Sequence, residues 1–81
     1  MSKPKVLSGR DVVRIFEEFG FSIADQKGSH IKLRCTTKDG SSQTLTIPDH
    51  KELDRGTVVS LFRQGVRYIS ETELRSHFYT K

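Results

Sequence analysis

The chain has 81 residues, with 14 lysines and arginines against 10 acidic residues, a formal net charge of +4 and a single cysteine. Such a length favours one domain over residues 1–81, and a chain this short buries only about 60–65% of the surface its unfolded form exposes, so any active site is expected on the surface rather than in a deep pocket. One cysteine excludes an intramolecular disulfide and a cysteine-built zinc site, and the positive balance favours a polyanionic partner, a basic surface kept for solubility being the plain alternative.

Lys3 and Lys5 sit in a short polar lead with no apolar run behind them, and no later stretch reaches membrane-spanning length. A soluble protein in the reducing cytoplasm is therefore expected. Ser8 followed by Asp11 is a capping-box pattern that opens a helix over about Gly9 to Phe19. In that helix Val12, Ile15, Phe16 and Phe19 recur on one face, and Gly20 supplies a left-handed stop. From Phe21 the period becomes two, with Phe21 and Ile23 on one side and Ser22 and Ala24 on the other, up to a turn at Lys27-Gly28. The run Ser29 to Thr36 alternates more clearly, placing Ile31, Leu33 and Cys35 on one face and His30, Lys32 and Arg34 on the opposite one.

Lys38-Asp39-Gly40-Ser41 holds the Asp-Gly pair of a tight hairpin, after which Leu45 and Ile47 alternate with Thr44 and Thr46 as far as Pro48. Asp54 caps a second helix with Val58, Leu61 and Phe62 as its buried stripe and Gly65 as its stop. Ser70 with Glu73 forms a capping box for a short terminal helix carrying Leu74 and Phe78. The order implies an α+β fold, a three-stranded antiparallel meander covered by helices on one face, with the face bearing His30, Lys32 and Arg34 open to solvent.

That open face holds the residues suited to chemistry on a phosphodiester. An imidazole, with an ordinary pKa near 6.5, serves as general base or general acid at neutral pH and contributes about 10²- to 10⁴-fold in rate when positioned. Around His30, Gly28 lets a phosphate approach the backbone, Ser29 offers a hydroxyl, and Lys27, Lys32 and Arg34 supply positive charge. Spacing alone also fits an ordinary turn followed by an ordinary exposed histidine. His50, after Pro48-Asp49, is a secondary acid–base candidate whose simpler reading is a loop hydrogen bond, and His77 near the chain end reads as solvated. The histidines and carboxylates are scattered without ligand spacing, so no metal is expected, and no nucleotide or redox fingerprint calls for a cofactor. Phe16, Phe19, Phe21 and Phe62 fall on inward stripes, and Tyr68, Phe78 and Tyr79 read as edge residues, so RNA binding would rest on charge more than on stacking.

The segment Lys27-Gly28-Ser29-His30 opening a strand, then Ile47-Pro48-Asp49-His50, then Gly56-Thr57 opening a helix that ends Leu61-Phe62-Arg63-Gln64-Gly65, resembles the HicA toxin family over nearly the whole chain. The tail from Glu71 to Lys81 is longer and more charged than the family's pattern. The resemblance implies a fold similar to the double-stranded-RNA-binding domain, in agreement with the order of elements above. It also implies the toxin of a type II toxin–antitoxin pair, a ribosome-independent endoribonuclease that cleaves mRNA and inhibits translation until a HicB-type antitoxin masks it. The family's catalytic histidine corresponds to His30, and its neighbouring glycine and serine to Gly28 and Ser29. Two rivals follow from the residues themselves: a non-catalytic RNA-binding module of the same fold, and a protein-interaction domain that docks a partner chain on its open sheet.

Overall fold

In a computed structural model the protein is described over residues 2–36 and 40–80. Helix α1 (Gly9–Glu18) is followed by strands β1 (Ser22–Lys27), β2 (His30–Thr36) and β3 (Ser42–Pro48), then by helices α2 (Arg55–Gly65) and α3 (Glu71–Phe78). The strands form one antiparallel sheet in the order β1-β2-β3. This is the expected α+β arrangement, α-β-β-β-α with a further short helix.

Helix α1 begins where its capping box forms: the Asp11 N–H donates to Ser8 Oγ and the Ser8 N–H to the Asp11 carboxylate, both at 2.9 Å. The hydrogen bond from the Ser8 backbone, with smaller help from the Ser8 hydroxyl and Arg14, holds the Asp11 carboxyl below its ordinary value. Gly20, at φ +97°, makes the expected left-handed turn. Asp54 caps α2 by accepting from the Thr57 N–H at 3.3 Å.

Val12, Val13, Ile15 and Phe16 of α1, Val58, Leu61 and Phe62 of α2, and Leu74 and Phe78 of α3 close over Ile31, Leu33, Leu45 and Ile47 in one buried cluster. The alternate residues His30, Lys32, Arg34, Thr44 and Thr46 are exposed, so the helices cover a single face of the sheet. Among the described residues no helix is long and apolar enough to cross a membrane.

Several local expectations are corrected. Phe78 is not an edge residue but is fully buried, its ring 5.8 Å from Phe16 and 5.7 Å from Phe62. The chain's two ends dock beside each other here: Lys5 N–H donates to the Phe78 carbonyl and Thr80 N–H to the Lys3 carbonyl, each at 2.8 Å. His77, expected to be solvated, is half-buried and packs edge-on against Phe19 at 5.5 Å. Ser70 is the N-cap of α3 but makes no side-chain cap bond, so the Ser70–Glu73 box is not closed. Gly65 is the last residue of α2 without a positive φ; it is glycine because an added Cβ would lie 2.7 Å from Leu74 Cδ2 and 2.8 Å from Phe16 Cε1. The expected Lys38-Asp39-Gly40-Ser41 turn falls partly outside the described residues, which include Gly40 at φ +87°.

Gly9 fixes how closely α1 meets the loop after β3. A Cβ there would overlap the Pro48 carbonyl oxygen and come within 3.1 Å of Asp49 Cα. Its N–H, an unpaired donor at the helix start, is satisfied by the His50 carbonyl at 2.9 Å. Gly9→Ala is therefore expected to destabilise the protein by about 1–3 kcal/mol through overpacking. Gly56→Ala, whose Cβ would meet nothing closer than 3.8 Å, is expected to stabilise by up to about 1 kcal/mol through helix propensity. Urea denaturation of the two variants checks the opposite signs.

Candidate active site on the open sheet face

The site is built by a two-residue hairpin and one bulge. Lys27 and His30 pair directly across β1 and β2, leaving Gly28 and Ser29 as the connecting turn. Gly28 has φ +55° and Ser29 has no positive φ. Positive φ at the first central position alone is the pattern of a type II′ turn, whose twist suits a hairpin and whose first position favours glycine. The turn is braced from below by the Asp49 N–H, which donates to the Ser29 carbonyl at 2.7 Å.

The bulge lies at Ala24. Ile23 pairs with Leu33, but Asp25, not Ala24, pairs with Lys32. Uninterrupted alternation from Phe21 would carry Asp25 and Lys27 to the helix side; the extra residue moves both to the open face. Two cross-strand rows result, Lys27–His30–Pro48 and Asp25–Lys32–Thr46, with Arg34 in the next row between Ser22 and Thr44.

Asp25, Lys27, His30, Lys32 and Thr46 line a cleft of about 120 Å³. That is well below the roughly 300–1,000 Å³ of cavities that engulf small ligands, so an extended substrate lying across the face fits it better than an enclosed one. Lys27, Lys32 and Arg34 take part in no ion pair among the described residues, which leaves their charge available to a polyanion. Asp25 was not anticipated in the sequence, because only the bulge turns it toward His30. Ser29 stands in the turn beside this cleft and does not line it.

His50 does not join the cleft. Its carbonyl holds the α1 start, and its exposed ring lies close enough to Asp54 to help depress that carboxyl, which is lowered chiefly by the Thr57 hydrogen bonds. Cys35 is a free, partly buried thiol packed on the core. Among the described residues no group of three or more histidine, cysteine, aspartate or glutamate side chains is placed to hold a metal ion.

A second set of residues the sequence did not single out positions the loop after β3. Arg10 Nε and Nη2 donate to the two oxygens of Asp49 at 3.1 Å each, and Gln26 joins both, accepting from Arg10 at 3.3 Å and donating to Asp49 at 3.1 Å. The network ties α1, β1 and the loop together just behind the turn. A larger groove of about 500 Å³ runs along the outer face of α2, where Arg55, Arg63 and Arg67 accompany Ser60 and Gln64. It offers positive charge, but no histidine or carboxylate lines it.

A family model described as HicA toxin of bacterial toxin-antitoxin matches residues 9–66, a span that holds all three strands of the cleft and all of α2. No curated protein and no solved structure matches the chain.

The Arg10–Asp49 pair is bidentate but half exposed, with side chains 49% and 26% accessible. A double-mutant cycle of Arg10→Ala and Asp49→Ala on denaturation is expected to return a coupling near the upper end of the roughly 0.2–1 kcal/mol seen for exposed pairs. A coupling indistinguishable from zero would mean that the network does not brace the loop.

Proposed function

This chain belongs to the HicA toxin family, and from that premise we propose that it is an endoribonuclease that cleaves mRNA by transesterification at the open face of its sheet. Membership implies a cognate antitoxin; in this reading the antitoxin is of the HicB type, masks the basic face, and works with the toxin in the cytoplasm. The observation that carries the reading is the position of His30, exposed in a shallow cleft with Lys27 directly across from it and Lys32 two residues along the same strand face.

The chemistry needs three things. A base takes the 2′-hydroxyl proton as that oxygen attacks phosphorus, a donor stabilises the doubly charged phosphorane, and an acid protonates the departing 5′-oxygen. His30 serves as base or acid. Lys27 and Lys32 flank it as cations for the phosphorane, the Gly28 backbone at the turn admits a phosphate without a side chain in the way, and Ser29 and Arg34 hold the strand to either side. The step uses side chains alone, and its products are a 2′,3′-cyclic phosphate and a free 5′-hydroxyl. The arginine groove on α2, lacking any proton-transfer group, suits binding but not this reaction.

Purified protein is expected to cleave a messenger RNA in excess EDTA and to leave 5′-hydroxyl ends. His30→Ala, confirmed as folded, is expected to lose about 10²- to 10⁴-fold in rate while keeping salt-sensitive RNA affinity. Equal cleavage by both proteins would remove His30 from the mechanism, and RNA binding without cleavage by either would establish a binding module instead.

A further inference from the structure

Resting on the endoribonuclease reading, we propose that Asp25 is the general base of the reaction and His30 its general acid. A carboxylate is an unexpected presence in a site for phosphate, because its charge repels the substrate. Yet a β-bulge, a backbone irregularity that costs regular pairing, is what brings Asp25 to this face. Without it the cleft would hold no acidic group.

The geometry suits a pair acting on opposite sides of one phosphorus. Asp25 faces Lys32 and His30 faces Lys27, so Asp25 and His30 are diagonal neighbours across β1 and β2. The backbones of diagonal neighbours lie about 7–8 Å apart. Both side chains rise from that backbone spacing into the same cleft, so one phosphate lying across it can be approached by the carboxylate and the imidazole together. The carboxylate is also oriented: its Oδ1 accepts the Gln26 N–H at 2.8 Å, while Oδ2 has no partner among the described residues. The two remaining corners of the quartet are Lys27 and Lys32, placed to stabilise the equatorial oxygens.

In this assignment the Asp25 carboxylate removes the 2′-hydroxyl proton as the O2′–P bond forms. The P–O5′ bond breaks, and the His30 imidazolium gives its proton to the leaving O5′. The enzyme is left with a protonated Asp25 and a neutral His30, and exchange with solvent restores both. The charged groups facing the pair are Lys27 from β1 and Lys32 from β2; β3 contributes Thr46 and Pro48, neither of them titratable, and Arg34 lies one row beyond. Asp49 is turned away into its contacts with Arg10 and Gln26.

Asp25→Asn tests the base and a sulfur-substituted substrate tests which group is which. Asp25 is exposed in β1, so asparagine is accommodated there; Asp25→Glu, which keeps a carboxylate, is the second variant and is expected to retain more activity than Asp25→Asn. On ordinary RNA, Asp25→Asn is expected to lose about 10²- to 10⁴-fold in turnover, while its affinity for an RNA with a 2′-deoxy scissile position stays level or tightens because a repelling charge is gone. On RNA carrying sulfur in place of the scissile 5′-oxygen, a leaving group that needs no proton, the defect of His30→Ala is expected to shrink while that of Asp25→Asn persists. Undiminished cleavage by Asp25→Asn would overturn the proposal, as would the reverse pattern on the sulfur substrate. Failure of the wild type to cleave either RNA would instead overturn the endoribonuclease reading on which it rests.

Discussion

The rest of this structure depends on burying one face of a three-stranded sheet and leaving the other in water. Ile31, Leu33, Leu45 and Ile47 are all nearly or wholly inaccessible beneath three helices. Because side chains alternate strictly along a strand, a one-residue slip of β2 would send His30, Lys32 and Arg34 into the core and expose Ile31 and Leu33. Each of those charged groups would then need a buried partner that the core does not supply. The hydrophobic register thus fixes the basic face as firmly as it fixes the core, and the candidate site follows from the packing rather than being added to it.

That site is held from behind as well. The Ser29 carbonyl takes the Asp49 N–H, Gly9 lets α1 close onto Pro48, and Arg10 clamps Asp49 with Gln26 alongside. Turn, helix start and β3 exit therefore act as one support for the two-residue hairpin that sets Lys27 opposite His30. For acid–base chemistry this is useful, since a proton-transfer group mounted on paired strands keeps its geometry better than one on a free loop. It also gives Asp49-His50 a reason to follow β3: the pair supplies a carbonyl, an N–H and a carboxylate to the support, and the His50 ring is not needed in the cleft.

Much of this was legible in the amino-acid sequence, and what was not has identifiable causes. β2 and β3 could be read because Ile31, Leu33, Leu45 and Ile47 alternate without interruption, and with them came Lys32 and His30. β1 was read as a strand but not in its register, because a bulge leaves no mark in hydropathy: nothing in Ile23-Ala24-Asp25 signals the shift. Asp25 stayed hidden for that reason. The roles of Gly9 and Gly65 were invisible because close approach between distant elements is a property of packing, not of local pattern. Phe78 and His77 were misplaced because what covers them is distant in sequence: Phe78 packs on Phe16 and Phe62, and His77 on Phe19.

The central claim is that RNA places its scissile phosphate at the His30 cleft and not along the arginine groove of α2. Amide and imidazole NMR shifts recorded during titration with an uncleavable 2′-deoxy-substituted RNA test it most directly. The account predicts the largest changes at Asp25, Lys27, Gly28, His30 and Lys32, with saturation shared among them. Shifts concentrated instead at Arg55, Ser60, Arg63 and Arg67, with His30 unmoved, would contradict it.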